Sequence, residues 1–278
     1  MSYKILMIAT LASLLLSSNR CVPPPPKEKQ CLNVTVLLDL SDRLIKNTNQ
    51  TSNDTALISH IAKAFNDSCF EKNVKFTRNR FKIYFYPTPT DPTIDGISKN
   101  LEVDYSQMKQ ADKLQKSADF MKSLAPGIST IYSSTLKTKN WIGCDIWGFF
   151  DSKVKNQCIR PDEQKAKVKF HYRNILVVLT DGYIYHNDNL SQEGDQYTYI
   201  TPTTLATGGK LKAISDKLDN LEVLFLEVNP QPISDFNKMK TTIGNWLEGM
   251  GVKHWDVVQT DVTSNTEVAI DNFLKANN

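Results

Sequence analysis

Two aspartates stand at the ends of apolar runs that are typical of buried strands. Asp39 ends the run 32–39, and Asp181 directly follows the run 175–180. Ligands of open α/β sheets bind outside the carboxyl ends of the strands, so both carboxylates are expected at one edge. Ser41 brings a hydroxyl two residues after Asp39. Such hard oxygens suit Mg²⁺ or Mn²⁺, and less well Ca²⁺, which takes about six to eight oxygen ligands.

The common catalytic signatures are missing from the sequence, which has no GxSxG, HExxH or GxxxxGK[ST] motif and no GxGxxG after a strand. No nucleophile is recognisably paired with a base, which favours a binding protein over an enzyme. The alternative is a metal-dependent, phosphatase-like hydrolase with Asp39 as its nucleophile. Enzymes of the haloacid dehalogenase type resemble this layout, but they carry a second acid two residues on, where this chain has Ser41.

Strands and helices alternate along nearly the whole chain. We predict strands at 32–39, 81–86, 175–180, 221–228 and 255–259, and helices at 53–69, 104–124, 133–139, 210–218, 233–250 and 265–276. A polar loop is expected at 127–130, and insertions at about 86–103, 141–170 and 183–207. This alternation predicts an α/β fold, with a doubly wound, mainly parallel sheet between two helical layers.

The insertion 183–207 is rich in tyrosine. It carries Tyr183, Tyr185, Tyr197 and Tyr199. Tyrosine is enriched at protein interfaces, so this segment is expected either to form a recognition surface or to be a hairpin that covers the sheet edge.

Three segments together resemble a von Willebrand factor A (VWA) domain with its metal-ion-dependent adhesion site. They are NVTVLLDLSDR, STIYSSTL and ILVVLTDG, which begin at residues 33, 129 and 175. The resemblance covers 32–276 in element order and implies a Rossmann-like sheet with strand order 3-2-1-4-5-6. It assigns the metal ligands to Asp39, Ser41, Thr130 and Asp181. It also implies that the ion engages an acidic group of a partner protein.

Arg43 departs from this family pattern, which has a hydroxyl as the third member of the first loop. A guanidinium has no lone pair and cannot ligate a cation. Two readings follow from this departure. Either the ion binds with Arg43 turned outward to pair with Asp42 or Asp181, or the guanidinium replaces the ion and leaves a metal-free scaffold.

The N-terminal residues predict export. Residues 1–21 have Lys4, an apolar run at 5–16 and then small and polar residues, which is the layout of a secretory signal. Cys21 and the prolines at 23–26 resemble an acylated bacterial lipoprotein with a stiff tether. Arg20 departs from the small residue that lipoproteins place before the cysteine, so a secreted protein is the alternative. We therefore expect a signal peptide at 1–21, a tether at 22–30 and one VWA-like domain at 31–278, held to the membrane only by the lipid.

Four further cysteines suit an oxidising compartment. The strand and helix lengths favour the pair Cys31–Cys69, the remaining pair Cys144–Cys158 then closes a short loop, and buried free thiols are the alternative. The formal net charge is +3, and it falls to +1 when residues 1–21 with Lys4 and Arg20 are removed. This balance gives no indication of a nucleic-acid partner.

Overall fold

The computed structural model describes residues 27–46, 49–71, 76–139 and 143–276. The predicted signal peptide, Cys21 and the prolines of the tether lie outside these residues. Among the helices of the described ranges, none combines the length and the apolar character that a bilayer span requires.

The described chain alternates strands and helices. The strands are β1 (Lys27–Leu38), β2 (Arg80–Tyr84), β3 (Glu102–Asp104), β4 (Glu163–Lys165), β5 (Val168–Leu179), β6 (Gln192–Glu193), β7 (Gln196–Tyr197), β8 (Lys210–Leu211), β9 (Leu221–Val228) and β10 (His254–Gln259). The helices are α1 (Arg43–Lys46), α2 (Gln50–Glu71), α3 (Pro92–Ser98), α4 (Lys113–Thr138), α5 (Ile146–Ser152), α6 (Val154–Cys158), α7 (Pro202–Ala206), α8 (Phe236–Gly249) and α9 (Thr263–Lys275).

A seven-stranded sheet in the order β10-β9-β5-β1-β2-β3 forms the centre, and β4 pairs with β5 outside this path. Its pairs are parallel except β2 with β3 and β4 with β5. Counted in chain order along the path, the strands run 3-2-1-4-5-6, the order that the resemblance implies. The expected α/β class with a mainly parallel sheet is confirmed.

Helices cover both faces of the sheet. Alternate residues of the central strands point to opposite faces, so Val36 of β1 and Val177 of β5 pack under α2, α4 and α9. Leu37 and Val178 pack under α5, α6 and α8 on the other face. Because β1 and β5 are apolar on both faces, they occupy the middle of the sheet. This arrangement brings the carboxyl ends of β1 and β5 side by side.

One helix is longer than predicted, and another predicted helix is absent. The expected helix 104–124, loop 127–130 and helix 133–139 are one helix, α4, which continues through Pro126. The expected helix 210–218 is wrong, because the segment begins with the short strand β8, which pairs with β7 in a separate three-stranded sheet.

Two further segments are more regular than predicted. Lys27–Gln30, which we assigned to the tether, belong to β1 and pair in register with Val168–His171 of β5. The stretch 141–170, expected to be irregular, contains α5, α6, β4 and the start of β5. The ladder to β5 therefore places the beginning of the fold at least as early as Lys27.

Candidate functional site

The carboxyl ends of β1 and β5 open into a crevice of about 240 Å³. We call this cavity the carboxyl-edge crevice. Its lining contains Asp39, Ser41, Asp42, Cys144, Asp181, Tyr183, Tyr185, Ile200, Thr201 and Pro202. The structure thus brings together three of the four predicted ligands, Asp39, Ser41 and Asp181.

Asp39 lies at the buried floor of the carboxyl-edge crevice, where β1 ends. Its backbone N–H donates to the carbonyl of Leu179, so the end of β1 is fastened to the end of β5. Its carboxylate accepts from the Ser41 backbone N–H at 2.9 Å and from the Thr180 hydroxyl at 3.1 Å. These two donors fix the carboxylate between the strands and place Ser41 beside it.

Asp181 follows β5 in a turn that requires glycine at the next position. Gly182 has φ of +94°, a conformation that residues with a Cβ rarely adopt. A Cβ there would also lie 2.7 Å from Val228 Cγ1 and collide with Met239. The Asp181 carboxylate accepts from the Tyr183 backbone N–H at 3.1 Å, and its carbonyl accepts from the backbone of Asn229. The Thr-Asp-Gly sequence therefore holds Asp181 at the crevice mouth.

Arg43 does not line the crevice, and it does not turn outward toward Asp42 or Asp181. Its side chain is buried and runs inward to α2, where Nη2 lies 2.6 Å from Asp54 Oδ2. Its Nε donates to the Asp39 carbonyl at 3.3 Å and lies 3.8 Å from Asp39 Oδ2. The reading in which Arg43 faces solvent is wrong, since the guanidinium supports the loop from behind.

A buried polar network surrounds this ion pair. The Asp54 carboxylate also accepts from the Tyr132 hydroxyl at 2.6 Å and from Gln50 Nε2 at 2.8 Å. Gln50 Nε2 donates in addition to Glu227, at 3.2 Å. The sequence reasoning missed these four residues. Glu227 carried a usable signal, because it is an acid inside the apolar strand Leu221–Val228.

Two buried acids of this region, Asp39 and Glu227, have raised pKa values. Burial raises the pKa of the Asp39 carboxyl to about 6; Arg43 opposes this rise and the charge of Asp181 adds to it. Burial also raises the pKa of Glu227. The hydrogen bond from Gln50 opposes this rise, and the charge of Asp54 adds to it. Burial by itself lowers the pKa of Arg43, but the negative charges of Asp54 and Asp39 outweigh this effect. The pKa of Arg43 therefore lies above its ordinary value, and the side chain stays charged.

Thr130 is the predicted ligand that the structure does not bring to the crevice. It lies inside α4 on an exposed face, and its hydroxyl donates to the Pro126 carbonyl at 2.8 Å. The threonine of the crevice lining is Thr201, which caps α7. Thr201 comes from the tyrosine-rich insertion, where no motif of the sequence indicated a ligand.

All four cysteines of the described chain are buried free thiols in this structure. Cys144 lines the crevice beside Asp39, whereas the thiol of Cys158 contacts Thr35, four residues earlier on β1. Four strand residues span about 13 Å, and a disulfide needs Cα atoms within about 7 Å. Cys144 and Cys158 therefore lie at different levels along β1, and they are not joined in this structure. Cys31 and Cys69 do interact, because the charge of Cys31 contributes to the raised pKa of Cys69, behind the larger effect of burial.

The oxygen set of the crevice fits a small divalent cation. Asp39, Asp42 and Asp181 give the lining three carboxylates, Ser41 and Thr201 give it hydroxyls, and none of the described lining residues is Lys or Arg. The described ranges contain no group of three His, Cys, Asp or Glu side chains arranged to enclose an ion. An ion here would be held by two carboxylates, a hydroxyl and water, which is how Mg²⁺ commonly binds.

We compared the chain with protein-family models, with curated proteins and with solved structures, and none of the three comparisons gave a match.

Proposed function

We propose that this protein is a non-enzymatic binding module whose carboxyl-edge crevice holds Mg²⁺ or Mn²⁺ and, through the ion, engages an acidic group of a partner protein. The observation that carries the proposal is the convergence of oxygen donors in the crevice lining, where the carboxylates of Asp39 and Asp181 and the hydroxyl of Ser41 come together. The nearest guanidinium, Arg43, is directed to Asp54. A divalent ion at Asp39, Ser41 and Asp181 would be held by their oxygens, and a partner carboxylate can replace one of its waters.

The rim of the crevice supports a protein partner. Tyr183 and Tyr185 stand on the lining, and Tyr185 is 48% exposed. Tyrosine offers a large apolar face with one polar group and is enriched in protein interfaces. Ile45 and Ile233, which follow the carboxyl ends of β1 and β9, are also exposed. This surface around an acidic floor suits a protein better than it suits a free anion.

The proposal includes export. The layout of residues 1–21 and the position of Cys21 support a processed, lipid-anchored or secreted protein. Mass spectrometry of the protein from its native membrane tests this part. An N-terminal diacylglyceryl-cysteine at Cys21 supports the anchor, and a cytoplasmic protein that still begins at Met1 contradicts export.

Thermal unfolding of the metal-stripped protein tests the ion site. We expect millimolar Mg²⁺ or Mn²⁺ to raise Tm, because binding to the folded state at about a hundredfold excess over Kd stabilises it by about 2.7 kcal/mol. The Asp181→Asn variant should lose the shift. Asp188→Asn, which removes an exposed acid of the same insertion outside the crevice lining, is the matched control and should keep it.

The second experiment tests the carboxylate partner. Fluoroacetate is a simple carboxylate probe, and bound Mn²⁺ accelerates the relaxation of its ¹⁹F nucleus when the two are in contact. We expect the Mn²⁺-loaded protein to relax the probe more strongly than the Asp181→Asn variant at the same Mn²⁺ concentration. Equal relaxation with both proteins would contradict carboxylate capture at this ion.

The absence of any Tm shift with Mg²⁺, Mn²⁺ or Ca²⁺ would favour the metal-free scaffold. The observation behind that second candidate is the 3.8 Å separation of Arg43 Nε and Asp39 Oδ2, which compensates part of the Asp39 charge. Partner binding would then be independent of metal and would still depend on the crevice.

A further inference from the structure

Three strands extend together beyond the amino edge of the central sheet. β1 pairs with β2 only from Asn33 onward, and β5 pairs with β9 only from Asn174 onward. The six residues before each of these points pair with one another, and β4 adds a third strand next to β5. We call Lys27–Leu32, Glu163–Lys165 and Val168–Arg173 the amino-edge ribbon, which extends by about 20 Å at 3.3 Å per residue.

The end of the amino-edge ribbon carries four exposed lysines, Lys27, Lys29, Lys165 and Lys167. In the register, Lys27 and Lys165 both lie opposite Val168, so their side chains share one face. Lys29 lies next along the same face, opposite Phe170. Lys167 follows Lys165 in the turn between β4 and β5.

The acids of this region are paired with other bases. Glu163 pairs with Arg78 at 2.6 Å, and Asp162 pairs with His171 at 2.6 Å. Glu28 is the remaining acid of the ribbon and lies 3.6 Å from His171. Within the described ranges, none of the four lysines forms an ion pair with an acid. The ribbon end is therefore a cluster of four lysines that have no close ion-pair partner within the described ranges.

Exposed apolar side chains accompany this charge. Phe76 is 49% exposed, and the ammonium group of Lys29 lies 5.1 Å from the centre of its ring. Phe70, in the last turn of α2, is 46% exposed, and Leu114, in the first turn of α4, is 55% exposed. Lysines interleaved with exposed aromatic side chains are the composition that binds the interface of an anionic membrane.

We propose that the amino-edge ribbon, with Phe76, is a docking surface for an anionic lipid bilayer. Charge complementarity carries this assignment, since a chain with a formal charge of only +1 after residue 21 concentrates four unpaired lysines at one end. The length of the preceding chain agrees with it. Five residues separate Cys21 from Lys27, and the six Cα-to-Cα steps between them can span at most about 20 Å. An acyl group on Cys21 would thus hold the ribbon at the membrane surface, and the ribbon adds a second contact beyond the lipid.

Cosedimentation with vesicles tests the proposal on the chain from Val22 to Asn278, which keeps every described residue and has no acyl group. The probes are phosphatidylcholine vesicles with and without phosphatidylglycerol. We expect binding only to the anionic vesicles at about 0.1 M salt and much weaker binding at about 0.5 M, where charges are screened. Each lysine near an anionic surface contributes about a fivefold gain in partition.

The Lys165→Glu/Lys167→Glu variant should therefore lose at least about 25-fold in partition. Its matched control is Lys137→Glu/Lys139→Glu, which makes the same charge change at two exposed positions at the other end of α4 and should bind as the wild type does. Phe76→Ser should weaken binding, whereas Leu190→Ser, at an equally exposed apolar residue, should not. Thermal unfolding confirms that each variant is folded.

Three results would overturn the proposal. Equal binding to neutral and anionic vesicles would remove the role of charge. An equal loss with the control pair of lysines would show that only net charge acts. Binding to soluble heparin without binding to anionic vesicles would assign the ribbon to another polyanion. The test does not involve the carboxyl-edge crevice, so its failure leaves the cation proposal unaffected.

Discussion

Arg43→Met breaks the ion pair behind the crevice and tests whether Arg43 is a structural residue or a substitute for the ion. In the wild type, Nη2 lies 2.6 Å from Asp54 Oδ2, and the side chains of Arg43 and Asp54 are 3% and 0% exposed. Methionine retains much of the aliphatic volume and removes the charge. The Asp54 carboxylate would keep the hydroxyl of Tyr132 and the amide of Gln50 as donors.

The expected cost is large because one partner of a buried pair is left behind. Removing a single member of such a pair typically destabilises by about 3–5 kcal/mol. Asp54→Asn should cost a similar amount, since it leaves the guanidinium buried near Asp39 at 3.8 Å without its main counter-charge. The double variant Arg43→Met/Asp54→Asn should cost less than the sum of the two single losses, by a coupling energy of about 0.5–3 kcal/mol. Urea denaturation of the four proteins measures these terms.

Additive losses in the double-mutant cycle would refute the reasoning, as would a cost below about 1 kcal/mol for Arg43→Met. Arg43→Ser provides the functional arm of the experiment, because it restores the hydroxyl of the family pattern. A guanidinium that occupied the ion position would make this variant bind Mg²⁺ more tightly than the wild type. We expect instead that Arg43→Ser lowers the stability of the protein and does not increase its affinity for Mg²⁺.

Three further outcomes follow from particular side chains. Burial lowers the pKa of Lys82 to about 8, so the free-energy cost of burying this charged lysine should fall as pH increases from about 8 to 10.5. Lys82→Met should be more stable by up to about 3 kcal/mol at pH 7 and lose this advantage above pH 10.5, as chemical denaturation across pH would show. Gly182→Ala should destabilise by about 1–3 kcal/mol and weaken Mg²⁺ binding, because its φ is +94° and its methyl would meet Val228; an unchanged denaturation midpoint would contradict this. Oxidation should join Cys31 to Cys69, remove the mass of two hydrogens and raise stability by about 3–4 kcal/mol, and an equal gain in Cys69→Ser would exclude this pair.

Residues adjacent to apolar strands were the predictable part of the site. Asp39 and Asp181 follow runs that could only be central strands, and parallel strands place their ends at one edge. Ser41 lies two residues after Asp39, so its position in the site could be predicted together with that of Asp39. These three side chains converge because of backbone topology, which the pattern of apolar residues determines.

Residues whose role depends on packing could not be predicted. The sequence predicts a polar loop at 127–130, and the resemblance to VWA domains assigns Thr130 in this loop as a ligand. The helix continues because Phe120, Leu124 and Ile128 precede and follow Pro126 on one buried face, and that packing outweighs the hydrogen bond that proline removes. Thr130 consequently points away from the crevice on the exposed side of α4.

Polar strand ends and short edge strands were a second source of error. Lys27–Gln30 have no apolar alternation, and only the register with β5 makes them a strand. The segment after Lys210 has apolar residues at helical spacing, which predicted a helix. Instead, the carbonyl of Lys212 accepts from both Trp147 and Trp246 at about 3 Å, and β8 pairs with β7. These hydrogen bonds and the strand pair join residues that are not neighbours in sequence, so the apolar pattern of the segment alone could not predict them.

The two ends of the strands carry opposite charge. The loops at the carboxyl edge contain Asp39, Asp42 and Asp181 in one crevice, and the opposite end carries the four exposed lysines of the amino-edge ribbon. β1 and β5 have 12 residues each and connect these ends over about 40 Å. That distance is about four Debye lengths at 0.1 M salt, so the charge of a bilayer under the ribbon would not reach the crevice. A protein docked by its ribbon would therefore present the crevice away from the membrane, where its ion affinity depends on the crevice residues Asp39, Ser41 and Asp181 and a partner in solution has free access to it.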